Sequence, residues 1–128
     1  MDKKKILLAD DEPDIIRTVG RRLKSAGYDV LTAMDGFQAT SMAIQEEPDV
    51  IILDIGMPAG DGHAVADRLR SSAKTCNIPI VFLTARTSEE DQKKAFDAGA
   101  VHYITNPFDA EELLICIDGL FSGTYEGT

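Results

Sequence analysis

Five short runs rich in Ile, Leu and Val recur along the chain, at Lys5–Ala9, Tyr28–Ala33, Val50–Asp54, Ile80–Thr84 and Val101–Thr105. Several are apolar at consecutive positions instead of every second one, which is the pattern of strands buried on both faces. Between them apolar residues repeat at helical spacing: Ile15, Val19 and Leu23; Phe37, Thr40 and Ile44; Val65, Ala66 and Leu69; Ala95 with Phe96; Leu113, Leu114, Ile117 and Phe121. Each stripe gives a helix one face to lay on a sheet. Pro13 suits a first helical turn, Ser88 is a good N-cap, and Asp109 with Glu112 three residues on resembles a capping box. Gly27 and Gly99 stand where helices should stop. Five strand–helix units with short links predict an α/β fold, a doubly wound parallel sheet of five strands with five helices and right-handed crossovers.

In such a sheet the ligand site lies beyond the carboxyl ends of the strands, where strand order reverses. The polar residues of interest fall there: Asp10 and Asp11 follow the first run, Asp54 ends the third, Thr84 ends the fourth and Asn106 follows the fifth. With the order 2-1-3-4-5 the first and third strands are neighbours, and three carboxylates converge on one crevice. Two like charges ~4 Å apart repel by roughly 4 kcal/mol at an effective dielectric near 20, so the cluster needs protons or a cation. Hard oxygen ligands with room left for water suit Mg²⁺. A carboxylate at a rigid strand end, steadied by a metal and open on one side, can attack phosphorus and become an acyl phosphate. Asp54 fits that role, with the Thr84 hydroxyl placed to donate to a phosphoryl oxygen. A single acidic strand end would more simply cap the next helix; three acids from two separated strands argue for a metal.

Composition narrows the classes. The chain has 128 residues, 44% of them hydrophobic, and this is the size of one domain with an ordinary core. Its 22 acidic and 13 basic residues give a formal charge of -9, which opposes sequence-independent attraction to nucleic acid or anionic membrane. Lys3, Lys4 and Lys5 before Ile6–Ala9 superficially resemble a signal peptide, but the apolar part is short and runs into Asp10. No stretch approaches the ~20 apolar residues of a membrane span. Cys76 and Cys116 lack metal-ligand or CxxC spacing and read as inert thiols in a reduced, cytoplasmic setting.

The segments "ILLADDE", "DVIILDIGMPAGDG", "PIVFLTA" and "GAVHYITNPF" stand in the order and at the spacing of the receiver domain of two-component response regulators. The resemblance covers about Lys4 to Phe121, and four motifs in register are far more specific than any one of them. It implies a flavodoxin-like fold and a single receiver domain over residues 1–128, with a core of about 4–121 and a frayed tail at 122–128. It implies a signalling module that catalyses only its own phosphorylation and dephosphorylation, like single-domain chemotaxis regulators. Asp54 would be the phosphoacceptor; Asp10, Asp11, Asp54 and the Gly56 carbonyl would organise Mg²⁺. Thr84 would follow the phosphoryl group, and Tyr103 matches the aromatic whose rotamer reports the switch. The phosphodonor would be a histidine kinase or histidine phosphotransfer protein. The face made by the fourth helix, fifth strand and fifth helix would receive a downstream protein, with no direct nucleic acid or membrane contact.

One departure stands out: the family pattern has a lysine where this chain has Asn106, and an amide can donate hydrogen bonds but brings no charge. Residues 95–128 contain no Lys or Arg, which leaves Arg86 as the plausible stand-in. Mg²⁺ is expected to bind still, with phosphorylation slower or more weakly coupled to Tyr103. The alternative is a phosphorylation-independent interaction module of the same fold. A haloacid-dehalogenase-type phosphatase wants a second acid where Gly56 stands, and a flavodoxin-like electron carrier would not place "DDEPD" against a flavin phosphate. Gly56 should also leave the acyl phosphate open to water and short-lived. Pro107 marks a position where the family commonly has a cis bond. His63 and His102 are expected at the surface, "RRLK" at 21–24 as a solvated face around Leu23, and Asp61 and Gly62 in the loop after Pro58, with Phe108 packing behind it.

Overall fold

A computed structural model describes residues 3–122. Strands and helices alternate strictly: β1 Lys5–Ala9, α1 Pro13–Ser25, β2 Asp29–Ala33, α2 Gly36–Glu46, β3 Val50–Leu53, α3 Gly62–Arg70, β4 Ile80–Thr84, α4 Glu89–Asp97, β5 His102–Thr105 and α5 Ala110–Ser122. The sheet is wholly parallel in the order β2-β1-β3-β4-β5, as the alternation predicts. Tyr28, Asp54 and Val101 fall just outside the strands assigned to them, and the frayed tail expected at 122–128 lies, beyond Ser122, outside the described residues. Among those residues no helix is long and apolar enough to cross a membrane.

Alternate residues of each strand feed two cores, one per face. Leu7, Ile51, Leu53 and Phe82 pack under α2, α3 and Ala95 of α4, whereas Ile6, Leu8, Ile52, Val81 and Leu83 pack under Val19 and Leu23 of α1 and Leu113, Leu114 and Ile117 of α5. Side chains of this kind contribute roughly 1.5–3 kcal/mol each when fully buried. Because both faces are covered, the central strands show the unbroken apolar runs seen in the sequence.

Most helix signals hold, with additions. Pro13 opens α1 and Ser88 accepts from the Asp91 N–H at 3.0 Å; Asp109 accepts from the Glu111 N–H at 2.9 Å instead of pairing with Glu112 as a capping box would. Asp35 and Asp61 cap α2 and α3 by accepting from Gln38 and Ala64 N–H, so Asp61 does more than shape its loop. Gly27 and Gly99 terminate α1 and α4 at positive φ, 99° and 96°.

Four expectations fail. The α2 stripe of Phe37, Thr40 and Ile44 is not the buried face: Gly36, Ala39 and Ala43 are, and Phe37 is 68% exposed. Small side chains let α2 approach the loop after Pro58, where the Gly36 N–H donates to the Pro58 carbonyl at 2.9 Å and a Cβ on Gly36 would strike the Ala59 and Gly60 carbonyls. Likewise α4 buries Ala95 while Phe96 stays half exposed. His63 and His102 are not surface residues: His102 is 7% exposed in β5, and the His63 side chain lies between α3 and α4. Phe108 packs with the α1–α5 core instead of behind the Pro58 loop.

Candidate functional site

β1 and β3 are hydrogen-bonded neighbours with Ala9 opposite Leu53, so the residues that follow them emerge side by side. The Asp54 N–H donates to the Ala9 carbonyl and the Asp10 N–H to the Ala33 carbonyl, both at 3.0 Å, which fixes both acids to the sheet rim. Asp10 is buried, Asp54 half-buried and Asp11 exposed, and one carboxylate oxygen from each lies within 4.8 Å of the other two. Burial pushes the Asp10 carboxyl up to about 7; the hydrogen bond from the Glu12 N–H at 2.9 Å opposes this, and the charges of Asp54, Glu12 and Asp11 add to the rise. A carboxylate so placed is costly unless a proton or cation joins it. The donors are all hard oxygens, open to the cleft on one side, and this fits Mg²⁺.

The cleft above these acids, about 270 Å³, is also lined by Gly56, Thr84, Arg86 and Asn106. Gly56 is close to the acid cluster, since a Cβ there would sit 3.8 Å from Asp54 Oδ2. Gly62 backs the site from α3: its N–H donates to the Ile55 carbonyl, and an added Cβ would lie 2.5 Å from the Asp54 carbonyl oxygen. Thr84 is buried at the end of β4, where its Oγ1 accepts from the Arg86 N–H at 3.3 Å. Asn106 follows β5, donates its N–H to the Thr84 carbonyl at 2.8 Å, and is joined to Pro107 by a cis peptide bond. A larger groove of about 600 Å³ runs between α1 and edge strand β2, but it is open and rimmed by Arg17, Arg21 and Lys24, without converging acids.

Of the site residues read from sequence, Asp10, Asp11, Asp54, Gly56, Thr84 and Asn106 meet in one cleft. Tyr103 does not line it. Its ring lies 6.0 Å from Phe82 and 6.4 Å from Phe96, and its hydroxyl donates to the Arg86 carbonyl at 3.0 Å. Burial, then the charge of Asp91, raises the phenol above its ordinary value, and Arg86 opposes that. The sequence reading missed the pair beside it: His63 Nε2 lies 2.9 Å from Asp91 Oδ1, tying the start of α3 to the start of α4. The Asp91 carboxyl is held below the usual range chiefly by His63, then by Ser88. No local signal links residues 28 positions apart.

The family model for the response regulator receiver domain matches residues 6–118. The DNA-binding dual master transcriptional regulator RpaA of Synechocystis sp. is 42% identical over 120 residues, 94% of this chain and 50% of that protein. The chain thus spans about half the length of the curated relatives it matches. Among solved structures, the chemotaxis response regulator CheY4 of Vibrio cholerae superposes with a TM-score of 0.86 at 34% identity, covering 91% of this chain and 98% of that one. The receiver domain of the sensor histidine kinase PA1611 from Pseudomonas aeruginosa, which holds magnesium in its active-site cleft, gives 0.84 at 30% identity over 91% and 96%.

Proposed function

The chain belongs to the response regulator receiver domain family, and on that premise we propose that it is the phosphoacceptor module of a two-component phosphorelay, with Asp54 as the modified residue. The observation that carries this is the convergence of Asp10, Asp11 and Asp54 on one open cleft. A histidine kinase or histidine phosphotransfer protein presents a phosphorylated imidazole. An Asp54 oxygen attacks phosphorus in line, the new O–P bond forms as the N–P bond breaks, and the imidazole leaves with the electron pair. Asp10, Asp11, Asp54 and the Gly56 carbonyl would hold Mg²⁺, which would supply positive charge against the transferring oxygens. Thr84 turns its hydroxyl from the Arg86 N–H toward a phosphoryl oxygen. Tyr103 answers that movement, and the α4–β5–α5 face changes for a downstream protein. The acidic charge of the chain gives it no general attraction to DNA, so any DNA contact belongs to an attached or partner domain.

Treatment with a small-molecule phosphodonor and Mg²⁺, followed by intact-mass measurement, tests the reading. One phosphoryl group gained by the wild type and lost in Asp54→Ala supports it. No mass gain favours a phosphorylation-independent interaction module, the reading that Asn106 motivates because it leaves β5 without a charge at the cleft.

A further inference from the structure

Arg86 is the only cation among the described residues that line the Asp54 cleft; Asp10, Asp11, Glu12 and Asp54 set four carboxylates around it, and Asn106 faces them uncharged. Its backbone is fixed at both ends, the N–H donating to Thr84 Oγ1 at 3.3 Å and the carbonyl accepting from Tyr103 at 3.0 Å. Its guanidinium is held only loosely. Nη1 stands 4.0 Å from Asp91 Oδ1, the outer limit of an ion pair, and the side chain is 52% exposed. That carboxylate is already engaged elsewhere, by His63 Nε2 on Oδ1 and by the Ser88 hydroxyl on Oδ2, both at 2.9 Å. Releasing Arg86 therefore leaves both Asp91 carboxylate oxygens with a hydrogen-bond partner.

We propose that Arg86 is the phosphoryl-binding cation of this chain: its guanidinium leaves Asp91 and pairs with the oxygens on Asp54, supplying the charge that Asn106 lacks. This rests on the reading of Asp54 as phosphoacceptor. A guanidinium presents a fork of donors that fits two phosphoryl oxygens, and charge-assisted bonds of this kind are the strong ones. The backbone of the same residue touches both Thr84 and Tyr103, so seating its side chain on the phosphoryl group and moving the Thr84 hydroxyl bias one short segment together. Were Arg86 only a solvated partner of Asp91, its removal would leave events at Asp54 unchanged.

Beryllofluoride, which mimics a phosphoryl group on a carboxylate, gives the test through its dissociation constant with saturating Mg²⁺. The proteins are wild type, Arg86→Gln, Arg86→Lys, Asn106→Lys and the Arg86→Gln/Asn106→Lys double variant. Arg86→Gln should weaken binding about tenfold, and Arg86→Lys should keep most of the affinity. Asn106→Lys should strengthen binding far more in the Arg86→Gln background than in wild type, because the two cations serve the same oxygens. Equal affinity of wild type and Arg86→Gln, or the same gain from Asn106→Lys in both backgrounds, overturns the proposal. A wild type that takes neither beryllofluoride nor a phosphoryl group overturns the phosphoacceptor reading itself, and this inference with it.

Discussion

The hydroxyl of Tyr103 donates to the carbonyl of Arg86 at 3.0 Å, so the side chain expected to report switching is tied to the main chain two residues beyond Thr84 and stays outside the cleft. Removing that hydroxyl should act on coupling and stability and spare the chemistry. Tyr103→Phe should lower the unfolding free energy by about 0.5–1.5 kcal/mol. Phosphoryl uptake at Asp54, followed by intact mass, should keep its wild-type rate. A large loss of uptake would mean that Tyr103 enters the cleft.

Asp10 gives a pH dependence of definite sign. Its folded value, about 7, lies above the ordinary 3.8, so the folded chain binds this proton more tightly than the unfolded chain does. Its contribution to stability is fully present below about pH 4 and is lost as pH rises through 7, a change on the order of 2–4 kcal/mol. Urea unfolding in EDTA should therefore show Asp10→Asn gaining on wild type between pH 4 and pH 8. Adding Mg²⁺ should stabilise the wild type more at pH 8 than at pH 5, since a protonated Asp10 is a poor ligand. A magnesium effect independent of pH would exclude Asp10 from the metal site.

Gly62 offers a route to Asp54 through packing alone. A methyl there would lie 2.5 Å from the Asp54 carbonyl oxygen and 2.9 Å from Ile55 Cα, backbone atoms that can only yield by shifting. Gly62→Ala should cost roughly 1–3 kcal/mol and slow phosphoryl uptake, because the main chain carrying Asp54 must move. Denaturant midpoints and the intact-mass assay measure the two effects. Wild-type behaviour in both would show that α3 can recede without disturbing the rim.

His63 and Asp91 tie α3 to α4 at 2.9 Å. With the Asp91 carboxyl held below its ordinary value, this tie contributes stability above the usual carboxylate range and loses it as pH falls through the lowered folded value. His63→Ala should cost about 1 kcal/mol and raise amide exchange in the first turn of α4 at neutral pH. Unchanged exchange there would mean that Ser88, which also bonds Asp91, holds that turn by itself.

The sheet and most of the cleft are legible in the order of residues alone. Consecutive apolar residues at Leu7–Ala9, Ile51–Leu53 and Val81–Leu83 call for strands covered on both sides, and three such runs among five strand segments alternating with helices leave little choice of topology. That topology carries Asp10, Asp11, Asp54, Thr84 and Asn106 to one rim, because each ends a strand or lies within two residues of its carboxyl end. Tertiary structure decided what local pattern does not encode. Hydrophobicity favoured Phe37 for the inner face of α2, whereas close approach to the Pro58 loop required the smaller Gly36, Ala39 and Ala43. His63 meets Asp91, and Tyr103 meets the Arg86 carbonyl, only because α3, α4 and the β4 end are packed together. Periodicity reports which side of an element faces inward. Which polar groups then face each other across a gap is set by how closely the packed elements approach, and that depends on every side chain between them.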